Sequence, residues 1–257
     1  MNTRAFAPIA DTLRREVIRF YRDSGEDLDD PEGATTLEDH SGHAESRAQL
    51  LLGTLYRETE LESVSGLRVL DLGCGFGALA IYMATQGAEV VGVDSDGDRL
   101  SVGSAVAAAH ELPAEFREGR MQALAVPPGS FDLAVLNNSL PYVVPRPERR
   151  AALAATLRAL RPGGFVVIRS ANRWNPRDQF TGLPLIQLFP PRRADQLARR
   201  LGRRRSSVRL TSSLEGAREL RMAGFKAVRH VSPPGSGWHA PIKAFARFQH
   251  FIARRPS

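Results

Sequence analysis

A chain of 257 residues with 42% hydrophobic and 25% charged residues can bury a sizeable core, which excludes wholesale disorder and suits one α/β domain with additions. The single cysteine, Cys74, excludes an internal disulfide, and no Cys/His cluster offers the ligands of a structural zinc. No window approaches the apolar run of a membrane span and the N-terminus lacks the apolar stretch of a secretion signal, so a reducing cytoplasm is the expected setting.

In chain order, Leu13, Val17, Ile18, Phe20 and Tyr21 recur at helical spacing, which predicts a short helix from Asp11 to Tyr21 with Asp11 as its cap. The acidic, turn-rich stretch SGEDLDDPEGATTLEDHSGH reads as an irregular loop, long enough to be a functional lid. Ala44, Ala48, Leu51, Leu52 and Leu55 mark a second helix, ending near Ser65 and Gly66. Short apolar runs then alternate with amphipathic segments, the rhythm of βαβ units and a parallel sheet. Strands are expected at Arg68–Leu72, Glu89–Val93, Ala114–Glu118, Phe131–Leu136 and Phe165–Ser170, and helices at Ala78–Thr85, Asp96–His110 and Arg149–Leu160. After a helix closing on Gly224, two strands at Phe225–Val231 and Lys243–Ala253, joined without a helix, form an antiparallel pair. The expectation is a Rossmann-like α/β fold with a seven-stranded, mostly parallel sheet, an antiparallel C-terminal strand and helices on both faces. Residues 1–63 would be a helical cover, 64–171 and 211–257 the core of a single domain, and 172–210 an insertion serving as a lid.

The net charge of +7 invites an anionic partner, but it is local. Between Arg146 and Arg209 sixteen arginines face three acids, an excess of +13 that leaves the rest of the chain at −6. Only Lys226 and Lys243 are lysine, a skew that fits GC-rich coding better than selection for phosphate contacts.

The strongest site signal is Val69-Leu70-Asp71-Leu72-Gly73-Cys74-Gly75-Phe76-Gly77-Ala78, an apolar strand entering a glycine turn and then a helix. Such glycines bring a ligand against main-chain N–H groups at a helix N-terminus, and Gly73, Gly75 and Ala78 satisfy G-x-G-x-x-G/A. Asp94 closes the next strand, where an acid accepts hydrogen bonds from ribose hydroxyls, so the ligand reads as a nucleoside. Asp71 narrows the choice, because a carboxylate there repels a pyrophosphate and attracts an ammonium or sulfonium group.

These residues resemble the class I S-adenosylmethionine-dependent methyltransferases. DLGCGFG is similar to that family's first motif, and GVDSD, EGRMQALAVPPGSFDLAVLNNSL and LRALRPGGFVVI follow in the family's order and spacing. The resemblance covers roughly residues 66–170 and implies S-adenosylmethionine as cofactor. It would place Asp71, Gly73, Cys74 and Gly75 near the methionine part and Asp94, followed by Ser95, at the ribose. Met121 would lie beside adenine and Asn137 would face the methionine moiety and the site opening. Arg120 stands where the family often has an acid contacting the adenine amino group, so that contact is not expected here.

Methyl transfer from a sulfonium is an in-line displacement needing alignment, desolvation and sometimes a base. Asn137-Asn138-Ser139-Leu140 lacks the Asn/Asp-Pro-Pro-Tyr/Phe motif of nucleobase and glutamine N-methylation, and it offers amides where magnesium-dependent enzymes cluster carboxylates, so no metal is expected. Asn137 and Asn138 could also simply cap a turn. His40 and His43 are the candidate bases, with exposed loop histidines as the plain alternative. Tyr21 and Tyr142 are candidates for acceptor contact, and Arg47 could pair with the cofactor carboxylate or be a solvated helix residue. His239 and Trp238 read as surface. In the insertion, LPLIQLF beside Asn172, Arg173, Trp174 and Arg177 suggests a partly apolar, cationic pocket for a small organic acid or natural product. The expected function is methyl transfer to a small acceptor, to a hydroxyl or carboxylate oxygen, in specialised metabolism. Rival readings are an RNA methyltransferase, or an N- or C-methyltransferase, holding an anionic substrate on the Arg-rich stretch. A dehydrogenase using NAD is a further rival, as is a membrane-surface or protein-binding module built on that stretch.

Overall fold

The computed structural model describes residues 3–28, 37–203, 207–232 and 245–257. Seven strands form one sheet in the order β3-β2-β1-β4-β5-β7-β6, with helices around it. The strands are β1 Arg68–Leu72, β2 Glu89–Asp94, β3 Ala114–Glu118, β4 Phe131–Asn137, β5 Leu160–Ala171, β6 Lys226–Val231 and β7 Phe248–Arg254. Pairs β1–β2, β1–β4 and β2–β3 are parallel, whereas β7 runs antiparallel to both β5 and β6. The sheet is therefore the Rossmann-like, mostly parallel one expected, with the C-terminal strand reversed. No helix among the described residues is long and apolar enough to cross a membrane.

The chain groups into two compact units, residues 1–121 with 130–135 and residues 122–129 with 136–257, so the division runs through β4. In the first unit, helix α1 spans Thr3–Asp23, well upstream of the expected start. Phe6, Ile9, Leu13, Val17 and Tyr21 form one buried stripe, and this stripe carries the helix through Pro8; Asp11 is an exposed mid-helix residue and no cap. Within the long acidic loop, Glu38–Gly42 forms a single wide helical turn, followed by α2, Ala44–Glu58. Helix α3, Ala78–Thr85, is buried on nearly every side between its neighbours, and α4, Gly97–Ala109, is capped by the Asp96 side chain accepting from Arg99 N at 3.1 Å.

In the second unit, α5 spans Arg146–Ala159, one turn earlier than expected, because prolines at its start cost no helical hydrogen bond. Its Arg149 is 2% exposed and is held by Glu219 at 2.6 Å and the Leu140 carbonyl at 2.6 Å. Strand β5 begins before Pro162 because Gly163 and Gly164 still bond the backbone of Arg255 beyond β7. The segment expected to be irregular holds a hairpin bridged between Arg177 and Pro184, a helical turn at Ile186–Leu188 and a true helix, α6, Pro191–Arg200. Helix α7, Ser213–Met222, opens with a reciprocal capping box between Ser212 and Glu215. The stretch containing Trp238, His239 and Lys243 lies outside the described residues.

Candidate functional site

In the first unit, β1 ends on Leu72 and the chain turns through Gly73, Gly75 and Gly77, all with positive φ, into α3. Two of these glycines are required for different reasons. At Gly75, with φ +55°, a Cβ would meet nothing within 4 Å, so the loop's outer surface is open there. At Gly77, with φ +76°, a Cβ would stand 2.4 Å from the Phe116 ring, so this glycine exists for packing. Val93 O anchors the turn by accepting from Gly73 N at 2.7 Å and Cys74 N at 3.3 Å.

Asp71 lies in β1 directly beneath this turn and is 2% exposed. Burial, then the neighbouring Asp94 carboxylate, raises its acid to about 7, against the lowering effect of the hydrogen bond from Ala80 N. Its Oδ2 is buried with no hydrogen-bond partner. An orphaned carboxylate oxygen under an open glycine turn suits a cationic ligand. Burial, followed by Asp71 and Asp94, pushes the Cys74 thiol well above its ordinary range, so Cys74 is no thiolate nucleophile.

At the end of β2, Asp94 Oδ2 accepts from Gly75 N at 2.8 Å and Oδ1 from Asp96 N at 3.1 Å. Asp94 thus clamps the glycine turn, and each oxygen keeps one lone pair for a ribose hydroxyl. Replacing Asp94 by Ala is expected to weaken S-adenosylmethionine binding by about 1.5–3 kcal/mol. Calorimetric titration checks it, and unchanged affinity in a folded variant refutes the role. Ser95 is exposed beside Asp94, and Met121 is half-buried where a short helical turn begins.

An aromatic cluster covers the glycine turn. Phe76 is 3% exposed; Phe20 meets it edge-on at 5.1 Å, Tyr21 at 5.7 Å and His40 at 5.5 Å, while the Arg99 guanidinium lies 5.4 Å from its centroid. The Tyr21 hydroxyl lies 2.7 Å from His40 Nδ1, and burial raises the Tyr21 phenol above its ordinary pKa. His43 is placed differently, half-exposed with Nε2 3.6 Å from Glu38 Oε1, and Glu38 also meets Arg14 at 3.3 Å. Of the two histidines, His40 is therefore the one that touches the glycine turn. Arg47 is half-buried on the first turn of α2. Phe20, Phe76 and Arg99 were not singled out from sequence, although an apolar Phe76 between turn glycines signalled that something must cover it.

The remaining candidates lie in the second unit. Asn137 Oδ1 accepts from Arg169 Nη1 at 3.2 Å, and that guanidinium stacks 3.3 Å from the Phe248 centroid. Asn138, at φ 57°, turns the chain, and its Oδ1 accepts from Ala171 N at 3.2 Å, the turn-capping alternative. Tyr142 is half-exposed and meets Phe180 edge-on at 6.0 Å. Asn172 is buried: its Nδ2 donates to Ala246 O at 2.9 Å and its Oδ1 accepts from Trp174 N at 3.1 Å, so its amide is spent on the fold. Arg173 reaches Glu215 and the Leu188 carbonyl, both at 3.5 Å, while Trp174 is exposed.

A mostly parallel sheet with a reversed last strand, and a glycine turn flanked by acids on its first two strands, make a Rossmann-like α/β fold. Residues 69–164 match the family described as a methyltransferase domain. The chain is 37% identical over 112 residues to a ubiquinone biosynthesis O-methyltransferase of Chromobacterium violaceum, covering 43% of this chain and 47% of the relative. The chain thus spans about half the length of the curated relatives it matches. In fold it is similar to an S-adenosylmethionine-dependent methyltransferase from Mesorhizobium loti, with TM-score 0.60 and 24% identity over 82% of this chain and 100% of that one. It is also similar to the Haemonchus contortus phosphoethanolamine N-methyltransferase 2 solved with S-adenosyl-L-methionine, with TM-score 0.59 and 17% identity over 80% of this chain and 52% of that one.

Proposed function

We propose that this protein transfers a methyl group from S-adenosylmethionine to an oxygen, hydroxyl or carboxylate, of a small organic acceptor. The observation that carries the reading is Asp71: a buried carboxylate with an unpartnered oxygen beneath an open glycine turn, inside a domain of the methyltransferase family. The names of the partial relatives, O-methyltransferases of ubiquinone biosynthesis, support oxygen as the acceptor atom; they do not speak for specialised metabolism, which rests on the mixed apolar and cationic character of residues 172–210.

Bound S-adenosylmethionine supplies an already activated methyl group. Asp71 would offset its positive charge, Gly75 would let it lie against the main chain, and Asp94 would hold its ribose. Phe20, Tyr21 and Phe76 would give the bound ligand an apolar wall, which would strengthen these electrostatic contacts. His40 would take the proton from an acceptor hydroxyl as the new bond forms.

The test is calorimetric titration with S-adenosylmethionine and, separately, NAD, followed by mass spectrometry of phenols and aromatic acids incubated with enzyme and cofactor. Saturable binding of S-adenosylmethionine and methylated oxygen are expected. Binding of NAD in its place would return the chain to the dehydrogenase reading.

A further inference from the structure

Ten large hydrophobic side chains are strongly exposed among the described residues, and six fall within residues 174–201: Trp174, Leu185, Leu188, Phe189, Leu197 and Leu201. Trp174 precedes the bridged hairpin, Leu185, Leu188 and Phe189 lie in or beside the turn Ile186–Leu188, and Leu197 and Leu201 lie on α6 and at its C-cap. The packing there inverts the usual pattern. Inward positions are filled by Ile186 and by the small Ala194 and Ala198, with Leu183 against them, while Leu197 of α6 and Leu201 at its C-cap are exposed. A helix stabilised only from within would place leucine inward and arginine outward.

Every exposed charge within residues 174–201 is positive, and the acid at the edge of this stretch, Glu215, meets Arg173 at 3.5 Å. Residues 172–210 hold ten arginines and two acids, and both acids, Asp178 and Asp195, are buried at 1% and 3% exposure. Arg193 and Leu197 of α6 and Leu201 at its C-cap follow one another at i, i+4 and i+8 and so share one ridge, with Arg200 three residues from Leu197 on the same side. Arg192, Arg193 and Arg200 are exposed. Leucine and aromatic groups interleaved with arginine, with no exposed acid, form a surface complementary to an anionic lipid interface. A second copy fits worse, since a twofold contact would oppose arginines to arginines. A nucleic acid would use the arginines and leave the aliphatic side chains unmatched.

We propose that residues 174–201 form a docking surface that seats the protein on an anionic bilayer, with the apolar side chains entering the headgroup boundary and the arginines meeting lipid phosphates. The inference does not depend on which acceptor is methylated. The test is flotation of the full chain with vesicles of phosphatidylcholine, and of phosphatidylcholine mixed with phosphatidylglycerol. Flotation with the anionic vesicles, weakened by salt, is expected. Leu197→Ser combined with Leu201→Ser should lower partitioning roughly tenfold or more. Arg193→Gln combined with Arg200→Gln should lower it roughly fivefold per charge on anionic vesicles only. Circular dichroism and S-adenosylmethionine titration check that the variants are folded, and the arginine pair carries the test should the leucine pair fail to fold. Absent flotation overturns the proposal, as does flotation indifferent to both variants. Two other outcomes also overturn it: a dimer in sedimentation that the leucine variant disperses without any vesicle binding, and binding of a short RNA by a chain that ignores the vesicles.

Discussion

Asp71→Asn is expected to loosen S-adenosylmethionine by about 2–5 kcal/mol, thirtyfold or more, while making the unliganded protein more stable above neutral pH. Both effects come from one geometry. Buried in β1 with Oδ2 unpartnered, the carboxyl has its pKa raised to about 7 from an ordinary 3.8. A raised pKa means that the folded state holds a proton the unfolded state has released, so stability falls as pH rises from about 4 to about 7 and stays low above it. The slope is at most about 1.4 kcal/mol per pH unit. The neutral amide of the variant removes that slope, and the variant should exceed the parent by about 2–4 kcal/mol above pH 7, read as urea midpoints across the pH range. Ligand binding has the opposite linkage. A cationic ligand needs the ionised carboxylate, so affinity of the parent should fall by up to tenfold per unit below pH 7, whereas the variant should show no such dependence. Equal affinity in parent and variant at pH 8 would remove Asp71 from the site.

The sequence and the structure agree best where a local pattern is also the tertiary requirement. Strand β1 and helix α3 match their expected bounds because an apolar strand, a glycine turn and a short apolar helix are each decided within a few residues. Expectation fails where distant residues decide. The start of α1 was hidden by Pro8, whose local cost is outweighed by the burial of Phe6 and Ile9. The early start of β5 depends on Arg255, more than ninety residues away. Helix α6 was masked by its prolines and by arginines where an ordinary apolar face would stand. In the candidate site, spacing and residue type point to Asp71, Gly75 and Asp94, and the structure brings Asp94 Oδ2 within 2.8 Å of Gly75 N with Asp71 buried in β1. The difference between His40 and His43 was not legible, because the two stand close together in one loop and only the fold brings one to Phe76 and the other to Glu38. Asn172 shows the converse: its polar side chain next to Arg173 and Trp174 suggested a pocket, yet the amide is engaged by Ala246 and Trp174 backbone groups.

His40→Gln is expected to slow methyl transfer to a hydroxyl acceptor by about 10²–10⁴-fold while changing S-adenosylmethionine affinity far less. His43→Ala should stay within about twofold, since a half-exposed side chain facing Glu38 has no contact with the glycine turn. The role of His40 depends on which of its ring nitrogens holds the proton. Acting as a base through Nε2 requires the tautomer in which Nδ1–H donates to the Tyr21 oxygen 2.7 Å away. The raised Tyr21 pKa keeps the phenol neutral, so its oxygen remains an acceptor whose proton points elsewhere, and the same bond persists when the imidazole becomes imidazolium. Tyr21 is thus a positioning residue. Tyr21→Phe should lower kcat by about tenfold, less than His40→Gln, and should add little to the loss when both are combined, because the two changes break one unit. Additive losses in the double variant would separate Tyr21 from His40. A normal rate in His40→Gln, with the rate also independent of acceptor acidity, would assign His40 to packing on Phe76 and leave proximity as the source of the rate.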